Sequence, residues 1–283
     1  MGAKVLDGLE LARKLRQEAK ELVDHHLGKG HRAPKLSVIL IGEDPASRVY
    51  VKQKEKACHE VGIYSKICQL PVSVSQTELE KIILDLNKDI EVDGILLQLP
   101  IPLHLNRSQC LDMIHPDKDV DGLTSFNQGT VLTGLTGLHP CTPLGIMALL
   151  KSHMTLRGKK IALIGYSLLV GAPLSAMLVQ SGATVTVITK ATVDAPRVTR
   201  ECDVTIVAAG VKHLVDKSWV REQSVLIDVG IHRDDSGISG DINFDDVKSV
   251  VSAVTPVPGG VGPMTVAFLL KNCLAAYLKN IPQ

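Results

Sequence analysis

The stretch that decides the fold is Gly158–Lys190, which reads GKKIALIGYSLLVGAPLSAMLVQSGATVTVITK in this chain of 283 residues. Lys160–Ile164 is a short apolar run, which is typical of a buried parallel strand. Leu168–Gln180 then keeps apolar residues on one helical face, and Ala183–Ile188 alternates β-branched residues as a second strand does. The pattern therefore predicts a strand, a glycine-bearing turn, a helix and a second strand.

The turn between this strand and helix has the composition of a phosphate-binding turn. Gly165 closes the strand and Gly171 follows, with Ser167 where such turns usually carry a second glycine. Backbone N–H groups at a helix N-terminus favour a phosphate group, and a serine hydroxyl can also donate to one. We therefore expect Gly165, Ser167 and Gly171 to contact a dinucleotide cofactor. An ordinary tight turn is the alternative.

Lys190 lies where the second strand ends and bears on the choice of cofactor. An acidic residue at this position would pair with the ribose diol of NAD, whereas a cation can bind the additional phosphate of NADP. Lys190 therefore favours NADP. A solvent-exposed lysine without a role is the alternative.

Composition argues against several classes of protein. The formal net charge is +1, so no overall field favours nucleic acid or an anionic membrane surface. No apolar run approaches the roughly 20 residues that cross a bilayer, and the N-terminus lacks the apolar core of a signal peptide. The six cysteines have no CxxC spacing and indicate reduced thiols in a cytoplasm. We predict no metal site, no nucleic-acid partner and no membrane partner.

The part of the chain before Gly158 predicts a second α/β domain. Its strands and helices alternate, over Lys35–Ile41, a helix from Asp44 to about Val61, Tyr64–Leu70, Gln76–Leu86 and Gly94–Leu99. This order implies a parallel sheet with helices on both faces.

The part after Lys190 completes a sheet of the nucleotide-binding type. Two apolar runs, Asp203–Ala208 and Ser224–Val229, are its next strands, and a loop rich in proline and glycine precedes a last helix over Val266–Leu278. We expect a first domain of residues 1–140, completed by the helix 266–283. Residues 141–265 then form a Rossmann-type NAD(P)-binding domain with a parallel sheet.

Four segments, together with the turn at Gly165, carry a family resemblance. They are Tyr50-x-x-x-Lys54, the DGILLQLP of Asp93–Pro100, the KDVDG of Lys118–Gly122 and the PVPGGVGPMT of Pro256–Thr265. In this order they closely resemble the bifunctional methylenetetrahydrofolate dehydrogenase/methenyltetrahydrofolate cyclohydrolase family, over almost the whole chain. The resemblance implies two α/β domains that flank a cleft, usually in a homodimer. It also implies NADP-linked oxidation of 5,10-methylenetetrahydrofolate, then hydrolysis of the methenyl product to 10-formyltetrahydrofolate.

Tyr50 and Lys54 are four residues apart, so both project from one face of a helix. Hydrolysis of a methenyl carbon needs an activated water and proton delivery to the departing nitrogen, and a lysine exchanges protons where burial or positive charge lowers its pKa. The resemblance implies that Lys54 is the central acid/base, that Gln98 holds its amine and that Tyr50 lines the folate ring.

Asp121 has a chemical argument of its own. A pterin presents an N–H and an exocyclic amine side by side, and one carboxylate can accept both hydrogen bonds. The resemblance gives Asp121 this role and counts it with the catalytic residues. Most of the acids of this loop are expected to form turns or face solvent, and a calcium loop is an alternative that lacks its later ligands. The remaining residues that the resemblance places beside the substrate are Leu97, Leu99, Pro258, Gly259, Gly260, Val261 and Gly262.

Two departures from the family pattern bear on the cofactor: NADP remains the predicted cofactor, with NAD or mixed use as the alternatives. Many members carry arginine where Tyr166 stands, and a histidine followed by serine or arginine where Thr189-Lys190 stands. Lys190 can supply a point charge but lacks the bidentate fork of arginine. Ile231 matches a cofactor contact that the family makes through its backbone. The alternative functions are a monofunctional NAD(P)-dependent methylenetetrahydrofolate dehydrogenase, a non-catalytic nucleotide- or folate-binding protein and a different dehydrogenase.

Overall fold

The computed structural model describes residues 2–235 and 237–281, which fall into two units. One unit comprises Met1–Ala12 and Thr142–Thr265, and we call it the six-stranded unit after its sheet. The other comprises Arg13–Cys141 and Val266–Gln283, and we call it the three-stranded unit.

The elements alternate between strands and helices along most of the chain. The strands are β1 (Lys4–Val5), β2 (Lys35–Ile41), β3 (Tyr64–Leu70), β4 (Gly94–Leu97), β5 (Lys160–Ile164), β6 (Thr184–Ile188), β7 (Val204–Val207), β8 (Val225–Asp228), β9 (His232–Asp234), β10 (Gly237–Ser239) and β11 (Ala253–Val254). The helices are α1 (Gly8–Gly28), α2 (Pro45–Val61), α3 (Gln76–Lys88), α4 (Arg107–Asp112), α5 (Ser125–Thr133), α6 (Cys141–His153), α7 (Gly171–Gln180), α8 (Ala195–Arg200), α9 (Phe244–Val247) and α10 (Val261–Asn280). A 3₁₀ turn spans Lys217–Trp219.

The three-stranded unit is a parallel sheet in the order β3–β2–β4. Alternate side chains of a strand point to opposite faces. Leu36 and Val38 of β2 pack in a cluster with side chains of α1, α2 and α10, whereas Ile39 and Ile41 pack in another with side chains of α3 and α4. The predicted parallel sheet with helices on both faces is therefore confirmed.

Helix α10 differs from the prediction in two ways. It begins at Val261 rather than Val266, because the first-turn N–H groups of a helix need no intrahelical acceptor and Pro263 is tolerated there. It is also long and apolar enough to cross a membrane by composition, although no such run was expected. Leu270 and Leu274 lie with Leu36 in the hydrophobic cluster, as the apolar side chains of a core helix do.

The six-stranded unit is a parallel sheet in the order β1–β11–β8–β7–β5–β6, and β9 and β10 form an antiparallel hairpin. The chain start departs from the expected first domain, because Lys4 and Val5 pair with Ala253 and Val254. A two-residue strand carries no periodic signal, so the sequence could not indicate this pairing. The carboxyl ends of the parallel strands share one edge, where ligands of such sheets bind.

Candidate functional site

Lys54 and Gln98 meet in the three-stranded unit. The Nζ of Lys54 on α2 donates a hydrogen bond to the Oε1 of Gln98 at 2.9 Å. Gln98 follows β4 directly, and its backbone N–H still donates to the carbonyl of Ile39 at 2.9 Å. Its Nε2 donates to the carbonyl of Leu99 at 2.7 Å. The side-chain amide is therefore held with its oxygen towards the lysine.

Helix α2 distinguishes Lys54 from its neighbours. Lys52 and Lys56 are exposed, whereas Lys54 and Tyr50, one turn earlier, are half-buried. The helix is fixed at its start by Asp44, whose carboxylate accepts a hydrogen bond from a first-turn N–H. A half-buried amine beside an aromatic ring on one helix face can present a proton-transfer group to a flat ligand.

Asp121 and Cys141 lie close to this lysine. Burial raises the pKa of the Asp121 carboxyl, and the ammonium of Lys54 acts in the opposite direction. Burial also raises the pKa of the Cys141 thiol well above its ordinary value, with a further contribution from the charge of Asp121. The thiol is therefore neutral at physiological pH and serves as a hydrogen-bond donor, to the carbonyl of Val120 at 3.2 Å, rather than as a nucleophile.

Asp119 is an exception to the expectation that most acids of this loop form turns or face solvent, because it is only 1% exposed. Its carboxylate accepts hydrogen bonds from the N–H groups of Leu123 and Thr124, at 3.1 and 2.8 Å, and from the side chain of Asn127 at 2.9 Å. A buried carboxylate with three donors fixes the backbone around it. Asp119 thereby anchors the loop that carries Asp121.

Asn272 of α10 is a second anchor of the same loop, and no sequence pattern marked it. Its Nδ2 donates to the carbonyls of Val120 and His139, both at 2.9 Å. The residue is 7% exposed, so both bonds are sheltered from water. The backbone at Val120, which directly precedes Asp121, and the backbone at His139 are thus both tied to α10.

Two glycines shape the turn after β5. Gly165 has φ of +99°, and a Cβ there would lie 2.2 Å from the carbonyl oxygen of Ala208. A Cβ on Gly171, the first residue of α7, would lie 2.2 Å from the carbonyl oxygen of Gly165. Glycine is therefore required at both positions. The two glycines let the turn after β5 pack closely on the backbone of Ala208 and on the start of α7, a ten-residue helix. The first N–H groups of such a helix suit the pyrophosphate of a dinucleotide.

The helix predicted over Leu168–Gln180 begins three residues later than expected, at Gly171. Ser167 causes the delay, because its carbonyl accepts from the N–H of Ala172 at 3.0 Å and its Oγ accepts from the N–H three residues on. The hydroxyl proton of Ser167 is not used in these bonds and can be donated to a phosphate. Tyr166, beside it, is 56% exposed.

The remaining predicted cofactor residues lie at the same edge of the sheet. Lys190 is exposed and follows β6, which pairs with β5. Ile231, 45% exposed, comes three residues after the end of β8. The structure therefore brings Gly165, Lys190 and Ile231 to the carboxyl ends of strands in one sheet.

The proline- and glycine-rich loop makes a close contact within the six-stranded unit. The carbonyl of Gly259, where φ is +111°, accepts from the N–H groups of Gly8 and Leu9 at 2.9 and 3.1 Å. A Cβ on Gly8 would lie 1.8 Å from the carbonyl oxygen of Gly260. The glycines thus allow the loop to approach the start of α1. Pro258 is exposed, whereas Val261 and Gly262 belong to α10 and not to the loop.

Leu97 and Leu99 differ in what they can offer a substrate. The side chain of Leu97 lies in the hydrophobic cluster of α3 and α4, on the other face of the sheet from α2. Any ligand contact of Leu97 near Lys54 would therefore come from its backbone. Leu99 is half-buried and follows the strand end. Within residues 2–235 and 237–281, no group of His, Cys, Asp and Glu side chains is arranged to hold a metal ion.

Comparisons with known proteins cover both units. The model of the catalytic domain of tetrahydrofolate dehydrogenase/cyclohydrolase matches residues 6–121, and the model of its NAD(P)-binding domain matches residues 140–281. Bifunctional protein FolD of Aquifex aeolicus is 46% identical over 280 residues, which are 98% of this chain and 96% of that protein.

Two solved structures extend the comparison. The bifunctional FolD methylenetetrahydrofolate dehydrogenase/cyclohydrolase of Campylobacter jejuni has a TM-score of 0.95 and 45% identity, and the match covers 98% of this chain and 99% of that one. The Trypanosoma brucei methylenetetrahydrofolate dehydrogenase-cyclohydrolase, solved with NADP and an inhibitor, has a TM-score of 0.95 and 33% identity, with both chains covered completely.

Proposed function

This chain belongs to the tetrahydrofolate dehydrogenase/cyclohydrolase family, and from that premise we propose that it oxidises 5,10-methylenetetrahydrofolate with NADP and hydrolyses the methenyl product to 10-formyltetrahydrofolate. The observation that carries the second activity is the hydrogen bond between Lys54 and Gln98. We assign the folate chemistry to the three-stranded unit and the coenzyme to the six-stranded unit. A dehydrogenase without cyclohydrolase activity would have no use for an oriented amine.

Hydrolysis of the methenyl carbon consumes a water molecule and requires two proton movements. One proton passes from the attacking water to the nitrogen whose bond to the carbon breaks, and the second is released to solvent as the formyl C=O forms. Lys54 carries the first proton from the water to the nitrogen, and Gln98 holds its Nζ in place.

Asp121 and Tyr50 orient the pterin in this proposal. The carboxylate of Asp121 accepts two parallel hydrogen bonds from the N–H and exocyclic amine of the ring. Burial raises the pKa of Asp121, and two donors from the ligand stabilise its ionised form again. The ring of Tyr50 packs against the pterin, and the backbone near Leu99 borders it.

The coenzyme fits the carboxyl edge of the six-stranded sheet. NADP supplies the nicotinamide that accepts the hydride, and this transfer needs correct placement rather than a protein acid or base. Gly165, Ser167 and Gly171 hold the pyrophosphate at the N-terminus of α7, and Lys190 binds the 2′-phosphate of the ribose. Ile231 contributes backbone contacts after β8, and Tyr166 flanks the phosphates.

We also propose that the protein is a homodimer in a cytoplasm. All six cysteines are free, and buried free thiols are usual in a reducing compartment. The dimer is an expectation from the family. Size-exclusion chromatography with light scattering should give twice the mass of the chain, and a monomeric mass at micromolar concentration would contradict it.

The decisive experiment compares Lys54→Met with Lys56→Met. Both replace a lysine of α2 by an unbranched apolar side chain, and Lys56 is exposed. Removing an acid/base group should slow hydrolysis of methenyltetrahydrofolate by about 10²–10⁴-fold. The loss of absorbance of the methenyl compound measures this rate. NADP binding should persist in both variants, and Lys56→Met should hydrolyse like the wild type. Full hydrolysis by Lys54→Met would refute the assigned role.

A further inference from the structure

Two buried carboxylates, Asp228 and Asp241, lie at the carboxyl edge of the six-stranded sheet. They are 3% and 0% exposed. Asp228 ends β8, and Asp241 follows the β9–β10 hairpin. Neither belongs to the residues assigned to substrate or coenzyme above, so their burial needs another explanation.

Asp241 joins the loops that follow two neighbouring strands. Its Oδ2 accepts hydrogen bonds from the N–H groups of Ala209 and Gly210, at 2.7 and 2.8 Å, just beyond the end of β7. Its Oδ1 lies 2.7 Å from the Nε2 of His232, the first residue of β9 and the neighbour of Ile231. One side chain therefore connects the loop after β7 to the loop after β8.

These bonds begin where the sheet ladder stops. The N–H of Ala208 donates to the carbonyl of Ile164 at 2.8 Å, and the N–H of Val229 donates to that of Val207 at 2.9 Å. The N–H groups of Ala209 and Gly210 lie beyond these last ladder bonds of β7. The carboxylate of Asp241 accepts from both of them, in charge-assisted hydrogen bonds that are stronger than neutral ones.

Asp228 fixes Asp241 in turn. Its Oδ1 accepts from the N–H groups of Asp241 and Gly230 at 2.9 and 3.0 Å, and its Oδ2 accepts from the N–H of Ile242 at 2.9 Å. Two glycines make room for the pair. A Cβ on Gly230 would lie 2.1 Å from Oδ1 of Asp241, and a Cβ on Gly240 would lie 1.9 Å from Oδ2 of Asp228.

We propose that Asp241, held by Asp228, is a positioning residue for NADP. It sets the separation and orientation of the loops at Ala209–Gly210 and at Ile231, which present their backbone to the coenzyme. Without the carboxylate, the N–H groups of Ala209 and Gly210 lose their charged acceptor and the loops lose their shared anchor. The inference rests on the proposed function, because that function places the coenzyme at this edge.

The test compares Asp241→Asn with Asp203→Asn. Asp203 lies at the amino edge of the same sheet, where its carboxylate accepts from the N–H of Lys160 at 2.9 Å and from Arg221 at 2.6 Å. Calorimetric titration of the folate-free protein should give a Kd for NADP that is raised by roughly tenfold or more in Asp241→Asn and by less than about twofold in Asp203→Asn. Cyclohydrolase activity, measured on added methenyltetrahydrofolate, should be kept by both variants.

A second pair of variants tests the connection without touching the carboxylate. Glutamine can donate a hydrogen bond to Asp241 and leucine cannot, so NADP should bind His232→Gln more tightly than His232→Leu, by roughly threefold or more. The inference is overturned if Asp241→Asn binds NADP like the wild type, if Asp203→Asn weakens binding as much, or if the two His232 variants bind alike. A wild-type protein that fails to bind NADP would instead overturn the proposed function, and the inference with it.

Discussion

Replacing Asp228 with asparagine should remove a pH dependence from the stability of the six-stranded unit. Burial raises the pKa of the Asp228 carboxyl from 3.8 to about 7, although three backbone N–H groups favour its ionised form. The carboxylate of Asp241 adds to the rise. In the unfolded chain the group returns to its ordinary value. The folded protein therefore binds a proton at Asp228 over a pH range in which the unfolded chain does not.

The sign and size of the effect follow from this difference. Because the folded state holds the extra proton, stability falls as the pH rises from about 4 through about 7. Each pH unit is worth about 1.36 kcal/mol, so the complete effect is about 4 kcal/mol. Between about pH 5 and about pH 8 the wild type should lose roughly 2 to 3 kcal/mol relative to Asp228→Asn.

The single tryptophan of the chain allows this unit to be followed alone. Trp219 lies against the hydrophobic cluster of the six-stranded unit, so its fluorescence in urea reports the unfolding of that unit. The measured quantity is the free energy of unfolding of the wild type minus that of Asp228→Asn, at several pH values. Asparagine also loses one acceptor, which adds an offset that does not vary with pH. A difference that stays constant from about pH 5 to about pH 8 would refute the reasoning.

Three further substitutions test the coenzyme and folate assignments. Lys190→Ala should raise the Kd of NADP more than that of NAD, because the cation pairs with the 2′-phosphate, and equal weakening would dismiss that pairing. Gly165→Ala should raise the Kd of NADP by roughly tenfold or more, since its Cβ would lie 2.2 Å from the carbonyl oxygen of Ala208. Cyclohydrolase activity should persist in this variant, and an unchanged Kd for NADP would contradict the prediction. Asn272→Leu removes the bond to Val120, which precedes Asp121, together with the bond to His139. It should raise the KM for the folate substrate several-fold with NADP affinity unchanged, whereas an unaltered KM would show that the loop of Asp121 needs no such anchor.

The sheets could be predicted from the sequence because parallel strands are short, apolar and bounded by turn residues. Lys35–Ile41, Tyr64–Leu70 and Lys160–Ile164 have the predicted limits. The first residues of helices were harder to predict than the limits of strands. Val261 begins a helix whose first turn contains glycine and proline, which read locally as a loop. The helix that begins at Gly171 also has proline in its first turn, but the apolar run before it reads locally as helix. The first turn of a helix tolerates both residues, since its N–H groups have no intrahelical acceptor.

The site residues also fall into two groups: those that a local sequence pattern marks, and those whose role depends on residues distant in sequence. Lys54, Gln98 and Asp121 occur in segments that carry a family pattern, so they could be named from the sequence. Asp228 and Asp241 could not, because an acidic residue near glycine usually forms a turn at the surface. Their burial depends on N–H groups of loop residues, most of them distant in sequence. A carboxylate is tolerated in a core where several donors converge on it, and that convergence exists only in the folded sheet.

The placement of these groups makes the two activities separable by mutation. Hydrolysis of the methenyl carbon needs water and a proton carrier, and Lys54, Gln98 and Asp121 belong to the three-stranded unit. Oxidation also needs NADP, whose proposed ligands all belong to the six-stranded unit. Substitutions at the coenzyme loops should therefore abolish oxidation and spare hydrolysis of added methenyltetrahydrofolate. A pattern in which every such substitution lowered both activities by the same factor would mean that the acid/base group itself depends on those loops.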